Sequence, residues 1–241
     1  MRFKDKVAIV AGGAGGIGKG VSLSLIEEGA KVVVWDIDSA ALAGFEKEVA
    51  DCGGSVITDK VDVMDYSAVS KSVASVVEQH SKIDIMVSSV GGGTFRPVAH
   101  LTPELWDSEL EYNLTTVFNC FHTSLQYMVK QKNGRLLCFM STTGGVSGLA
   151  AYGAAKAGCK ALIETIAVEH TVDNITANSI MPGFVVTPFT QKAFDFPGGE
   201  ERLEQLKQSR PLGFNTVENV AKTALNVLDN ERLTGQIISL N

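Results

Sequence analysis

The 241-residue chain lacks an excess of positive charge, a long apolar run and any pair of closely spaced cysteines. Its 21 lysines and arginines are outnumbered by 27 aspartates and glutamates, for a formal charge of -6 and a pI near 5.3. Such a chain carries no basic field to collect the phosphates of a nucleic-acid backbone, so nucleic acid is excluded as an expected partner. No apolar run approaches the roughly 20 residues of a bilayer-spanning helix. The first apolar segment, from Val7 to Ala11, is too short for the core of a secretion signal and runs into glycines instead of a cleavage site. The expectation is a cytoplasmic protein with no membrane partner. Cys52, Cys120, Cys138 and Cys159 lie far apart in sequence, which suggests neither a disulfide framework nor a zinc site. They are read as free thiols, Cys52 in its Gly-rich turn being the one open to redox chemistry, and no metal is expected.

What the chain does have is a rhythm. Short Val/Ile-rich segments at 6–11, 31–35, 55–61, 83–88, 135–140, 176–180 and 236–240 alternate with helical patterns at 17–28, 67–80, 103–130, 152–170 and 217–228. Strands that are apolar throughout and joined by helices imply a parallel sheet covered on both faces. The expected fold class is α/β, a doubly wound Rossmann-type sheet of about seven parallel strands. With 45% hydrophobic residues, no internal repeat and no linker, residues 1–241 are read as one domain. Two segments break the rhythm, at 91–101 and 183–209. Both follow strand ends, where a doubly wound sheet binds ligands, so both are expected to cover a substrate. The second contains Phe184, Phe189, Phe194 and Phe196 and reads as an apolar lid.

The first strand runs into Gly12-Gly13-Ala14-Gly15-Gly16-Ile17-Gly18 immediately before a helix. Glycines at this turn let backbone approach a pyrophosphate and let the helix close on the strand. The second strand ends at Asp36, about twenty residues later, where a carboxylate accepts hydrogen bonds from an adenosine ribose and repels a 2′-phosphate. NAD is therefore the expected cofactor in preference to NADP. Asp62, after the third strand, is a candidate for the adenine amino group, with a helix-capping role for it or Asp65 as the alternative. Asp38 reads as a solvated turn acid.

Tyr152 and Lys156 stand four apart at the start of an apolar helix, which puts phenol and ammonium on one face. An ordinary phenol holds its proton to a pKa of about 10, and a cation beside it stabilises the phenolate. Together they make a tuned general acid/base.

Gly12-x-x-x-Gly16-x-Gly18, Asn113 in a helix, Ser141 after the fifth strand, and Tyr152-x-x-x-Lys156 occur in the order and spacing of one family. In these features, and over nearly its whole length, the chain resembles the short-chain dehydrogenases/reductases. The resemblance implies hydride transfer between a substrate carbinol carbon and the nicotinamide, with Asn113, Ser141, Tyr152 and Lys156 as the catalytic set. Tyr152 would exchange the hydroxyl proton, Ser141 would hold the substrate oxygen, Lys156 would bind the nicotinamide ribose, and Asn113 would position a proton-relaying water. Cofactor contacts are expected at Gly12, Gly15, Gly16, Ile17, Gly18, Asp36, Ile37, Asp62, Val63, Val90, Gly91, Tyr152 and Lys156. The resemblance adds Pro182, Gly183, Val185 and Thr187, with Val185 backbone and the Thr187 hydroxyl at the carboxamide. Candidate substrate contacts are Ser141, Thr143, Tyr152, Phe184, Phe189 and Arg96.

The chain departs from the family pattern at four places. Ala11 replaces a loop-bracing Thr, Ser88-Ser89-Val90-Gly91 replaces Asn-Asn-Ala-Gly, the segment from Ser141 to Tyr152 is about two residues short, and the last strand is not followed by Asp-Gly-Gly. The leading expectation is an NAD-linked enzyme for a small or cyclic, largely apolar secondary alcohol and its ketone, with Arg96 and His100 available to an anionic group. A 3-oxoacyl thioester reductase, on a carrier protein or CoA, is the enzymatic alternative. A catalytically idle NAD-binding regulatory protein is the alternative from another class. A homotetramer built through the helices at 103–130 and 152–170 is expected, with a dimer as the alternative.

Overall fold

The computed structural model describes residues 1–141, 144–187, 190, 194, 198–210 and 212–240, the Arg202 side chain excepted. Seven parallel strands form one sheet: β1 (Val7–Ala11), β2 (Lys31–Asp36), β3 (Ile57–Lys60), β4 (Ile85–Ser88), β5 (Gly134–Phe139), β6 (Ile175–Met181) and β7 (Ile237–Ser239), in the order β3-β2-β1-β4-β5-β6-β7. The chain winds outward in both directions from β1 and β4, so these neighbours form the switch point, above whose strand ends a crevice opens.

Alternation within each strand divides the core in two. Ala8 and Val10 of β1, Val32 and Val34 of β2, and Val87 of β4 pack beneath α1 (Gly16–Glu27), α2 (Ser39–Asp51) and α8 (Val217–Asp229). Val7, Ile9, Val33, Trp35 and Met86 face the other way, onto α3 (Tyr66–His80), α5 (Thr116–Gln131) and α6 (Ala150–His170). Burial on both faces is why these strands read as continuous apolar runs. Three of the four cysteines are buried in this second layer, and burial pushes the Cys120 thiol up to about 12. Cys52 is exposed at the end of α2.

Several expected elements are corrected. Residues 39–51, unassigned from sequence, form α2, and Asp38 is its N-cap, accepting from the amides of Ala40 and Ala41. Its apolar stripe is only Leu42, Phe45 and Val49, set among small and charged residues. The third strand is shorter than expected and half-exposed because it is a sheet edge. The last strand is shorter as well. The helix expected at 103–130 is two helices, α4 (Pro103–Leu110) and α5, joined by a π-helical turn at Glu111–Thr115. Asn113 Nδ2 donates to the Glu109 carbonyl at 3.0 Å, taking the acceptor that an α-helical amide would use. Thr116 Oγ1 likewise donates to the Tyr112 carbonyl at 2.8 Å. The segment 183–209 contains a helix of its own, α7 (Gly199–Gln208). No described helix is long and apolar enough to cross a membrane.

Candidate active site

Beyond the strand ends at the switch point lies one cleft of about 990 Å³. One end is built from the glycine loop. Gly12 turns the chain with φ +69°, and the Gly12 and Gly13 amides donate to the Trp35 carbonyl at 2.8 and 3.2 Å, pinning the loop to β2. A Cβ at Gly18 would run into the Gly12 carbonyl, so Gly18 lies packed beneath the loop and does not line the cleft. The bracing role that Ala11 forgoes is filled by Ser22, whose buried Oγ lies 2.9 Å from the Gly18 carbonyl and 3.2 Å from that of Gly13. Helix α1 begins at Gly15 with no side-chain cap and no acid in its first turn. Its free amides form an anion site, and Gly12, Gly15, Gly16 and Ile17 line the cleft beside them.

Asp36, Ile37, Asp62 and Val63 line the same end. Asp36 Oδ1 accepts from the Asp38 amide at 3.1 Å, which holds the carboxylate at the end of β2. Lys156 is the only Lys or Arg among the described lining residues, and Lys19, next to Gly18, is ion-paired with Glu48. The donor set at this end thus fits a dinucleotide. Asp62 Oδ1 accepts from the Met64 amide, whereas the cap of α3 is Asp65. Tyr112, missed in the sequence, also lines this end; burial, then Asp36 and Glu109, push its phenol above the ordinary range.

Ser141, Tyr152, Lys156, Val90 and Gly91 meet in the middle of the cleft. Lys156 is 3% exposed; its Nζ donates to the Phe139 carbonyl at 3.2 Å and lies 5.5 Å from the Tyr152 ring centre. A Cβ at Gly91 would stand 2.9 Å from Asn113 Oδ1 and 3.0 Å from Lys156 Nζ, which places Asn113 just behind the lysine. Both ends of the Asn113 amide are engaged by Gly92: Oδ1 accepts from its N–H at 3.0 Å and Nδ2 donates to its carbonyl at 2.8 Å. The Asn113 main-chain oxygen accepts from the Cys159 thiol at 3.3 Å. Ser89 and Val90, which replace family residues here, line the cleft.

The far end is apolar, with Phe95, Phe139, Met140, Leu149, Phe184 and Phe194 in its walls. Phe184 packs on Phe214 with ring centres 4.3 Å apart and meets Phe194 edge-on at 5.7 Å. Pro182, Gly183, Val185 and Thr187 also line the cleft, steadied by Asn215, which donates to the Pro182 carbonyl, and by Thr190, which donates to that of Val185. Arg96 is not brought in: its backbone pairs with Gly148 and Leu149, and its side chain is exposed away from the lining. His100 is exposed in a 3-10 turn at Val98–His100. Thr143, Phe189 and Phe196 lie outside the described residues. The apolar walls at Phe95, Phe139 and Leu149 had no local signature, because a loop, the end of β5 and the start of α6 bring them together.

Comparison with known proteins accords with this geometry. Residues 6–197 match the family model for short chain dehydrogenase. The chain is 34% identical over 247 residues to a 3-oxoacyl-[acyl-carrier-protein] reductase, FabG, of Thermotoga maritima, covering 100% of this chain and 98% of the relative. It is 29% identical over 243 residues to the (2S)-[(R)-hydroxy(phenyl)methyl]succinyl-CoA dehydrogenase subunit BbsD of Thauera aromatica, covering 99% and 96% of the two chains. Among solved structures it is similar to levodione reductase, with a TM-score of 0.94 at 25% identity over 99% of this chain and 97% of the other.

Proposed function

The chain belongs to the short-chain dehydrogenase/reductase family of nicotinamide-dependent oxidoreductases, and from that premise we propose that it is an NAD(H)-linked enzyme interconverting a 3-oxoacyl thioester and its 3-hydroxy form. The observation that carries the reading is the single cleft that joins a dinucleotide cradle, a phenol beside a buried ammonium, and an apolar chamber. The thioester is supported by relatives that match the whole chain: one is named for 3-oxoacyl groups, and another for a secondary alcohol on a CoA thioester. This favours the alternative weighed from the sequence over the small apolar alcohol. NAD is supported by Asp36 and by the absence of any Lys or Arg other than Lys156 among the described lining residues.

When bound, the cofactor supplies or receives hydride at its nicotinamide ring. Reduction delivers hydride to the carbonyl carbon and a proton to its oxygen. Tyr152 gives that proton, and Ser141 holds the oxygen. The Lys156 ammonium stabilises the phenolate left behind and holds the nicotinamide ribose. Glycine-loop amides hold the pyrophosphate, Asp36 the adenosine ribose, and Val185 and Thr187 the carboxamide. Asn113 secures the backbone behind Lys156. We further propose a cytoplasmic homotetramer, with a dimer as the smaller alternative.

A second reading, a cyclic ketone, is supported by the likeness to levodione reductase. Initial rates at 340 nm with NADH and NADPH, on 3-oxoacyl-CoA esters and on cyclic ketones, separate the two. We expect the thioester and NADH each to be preferred by more than about tenfold, a difference of about 1.4 kcal/mol. Preference for NADPH defeats the Asp36 argument, and preference for the cyclic ketones defeats the thioester.

A further inference from the structure

Glu109 is 7% exposed at the end of α4, and among the described residues its carboxylate meets no cation. Leaving a carboxylate in such a place is costly unless its lone pairs are used. They are used on two segments, the loop at Thr94 and the π turn that follows α4. Oε1 accepts from the Thr94 amide at 2.8 Å, and Oε2 accepts from Asn113 Nδ2 at 3.3 Å. Between these bonds runs the strap Gly92–Thr94, whose first residue is gripped by the Asn113 amide. The middle residue lies on the catalytic phenol: a Cβ at Gly93 would stand 3.1 Å from Tyr152 Cγ and 3.2 Å from Cδ2. An apolar residue at position 109 would fill the space at less cost but could bond to neither segment.

We propose that Glu109 is a positioning residue, which ties the Gly92–Thr94 strap to the π turn and so holds the strap against the Tyr152 ring and Asn113 behind Lys156. The inference rests on the reading of Tyr152 as the acid/base. Glu109 touches neither substrate nor cofactor. Its effect falls on the chemical step, because the phenol loses its fixed wall.

Glu109→Gln tests this at constant size. Thr94 and Asn113 use different carboxylate oxygens, so the single amide oxygen can take the place of only one of them, and the –NH2 group then opposes a donor at the other. Thr94→Pro removes the other partner from an exposed position and decides the matter if Glu109→Gln does not fold. The readouts are the NADH dissociation constant from tryptophan fluorescence and the single-turnover rate of NADH oxidation by excess enzyme, which does not depend on the fraction of enzyme that is folded. The expected result is a single-turnover rate lower by about tenfold or more with NADH affinity changed by less than about twofold. A rate within about threefold of wild type overturns the inference, as does a fall in rate matched by an equal fall in NADH affinity. Wild-type enzyme that oxidises NADH with no ketone or thioester overturns the functional reading and the inference with it. An active wild type with unaltered variants overturns the inference alone.

Discussion

Lys156 is nearly buried, forms no ion pair among the described residues and spends one bond on the Phe139 carbonyl. An ammonium has three donors, so two remain for the cleft, where Tyr152 and the cofactor ribose compete for them. The two residues should therefore fail differently. Tyr152→Phe removes the hydroxyl that carries the proton and should lower kcat by about 10²–10⁴-fold while leaving NADH affinity intact. Lys156→Met should lower both kcat and NADH affinity, as read by fluorescence titration beside initial rates. A Tyr152→Phe enzyme within about tenfold of wild type would require another acid. At this scale the residues that line the cleft were readable wherever a short motif carries them: the glycine loop, Asp36, Ser141 and the Tyr152/Lys156 pair. Glu109 and Tyr112 were not, because Thr94, which bonds to Glu109, and Asp36, which lies near Tyr112, are distant from them in sequence. Arg96, singled out for its charge and loop position, is exposed and outside the described lining, with its backbone bonded to Gly148.

Helices were legible in proportion to their buried stripes. Helix α8 shows one in Val220, Ala221, Ala224, Leu225 and Leu228, and was readable; α7, whose Leu203 and Leu206 are only half-buried, was not. The π turn was invisible because apolar periodicity continues through it, while its cause, the Asn113 and Thr116 side chains capping carbonyls, leaves no mark in a hydrophobic pattern. Helix α2 shows what the stripe alone misses. Its start is set by Asp38, whose side chain satisfies two of the amides that a helix leaves free. Asp38→Ala should therefore lower stability by about 1 kcal/mol, or roughly 2–4 °C in melting temperature for a chain of this size. Because Asp38 points away from the cleft lining, kcat should be unchanged. A loss of NADH affinity at unchanged melting temperature would instead put Asp38 at the adenosine ribose in place of Asp36.

For the whole molecule, the alternation of apolar strands with helices was enough to give the parallel sheet and the place of its crevice, since helices on both faces leave only the strand ends open. What surrounds the molecule is written on its outer helices. Isolated exposed apolar residues are ordinary, but these are not isolated. Val168, near the end of α6, is 83% exposed and Val172, in the 3-10 turn Thr171–Asp173 that follows it, is 86% exposed, and Phe118 of α5 stacks on His122, which is bonded to Tyr66 of α3. Both α5 and the end of α6 thus carry apolar groups outward although their inner faces are already buried, which supports the proposed contact with a second copy. Sedimentation velocity should give a particle of four times the 25.6 kDa chain mass. Two distinct surfaces make a tetramer by successive two-fold contacts, so Val168→Glu and Phe118→Glu, made separately, should each stop assembly at a dimer, and together they should give a monomer. If either single variant gives monomers directly, one surface carries all of the association and the tetramer is wrong; a wild type that sediments as a monomer leaves both patches as ordinary surface.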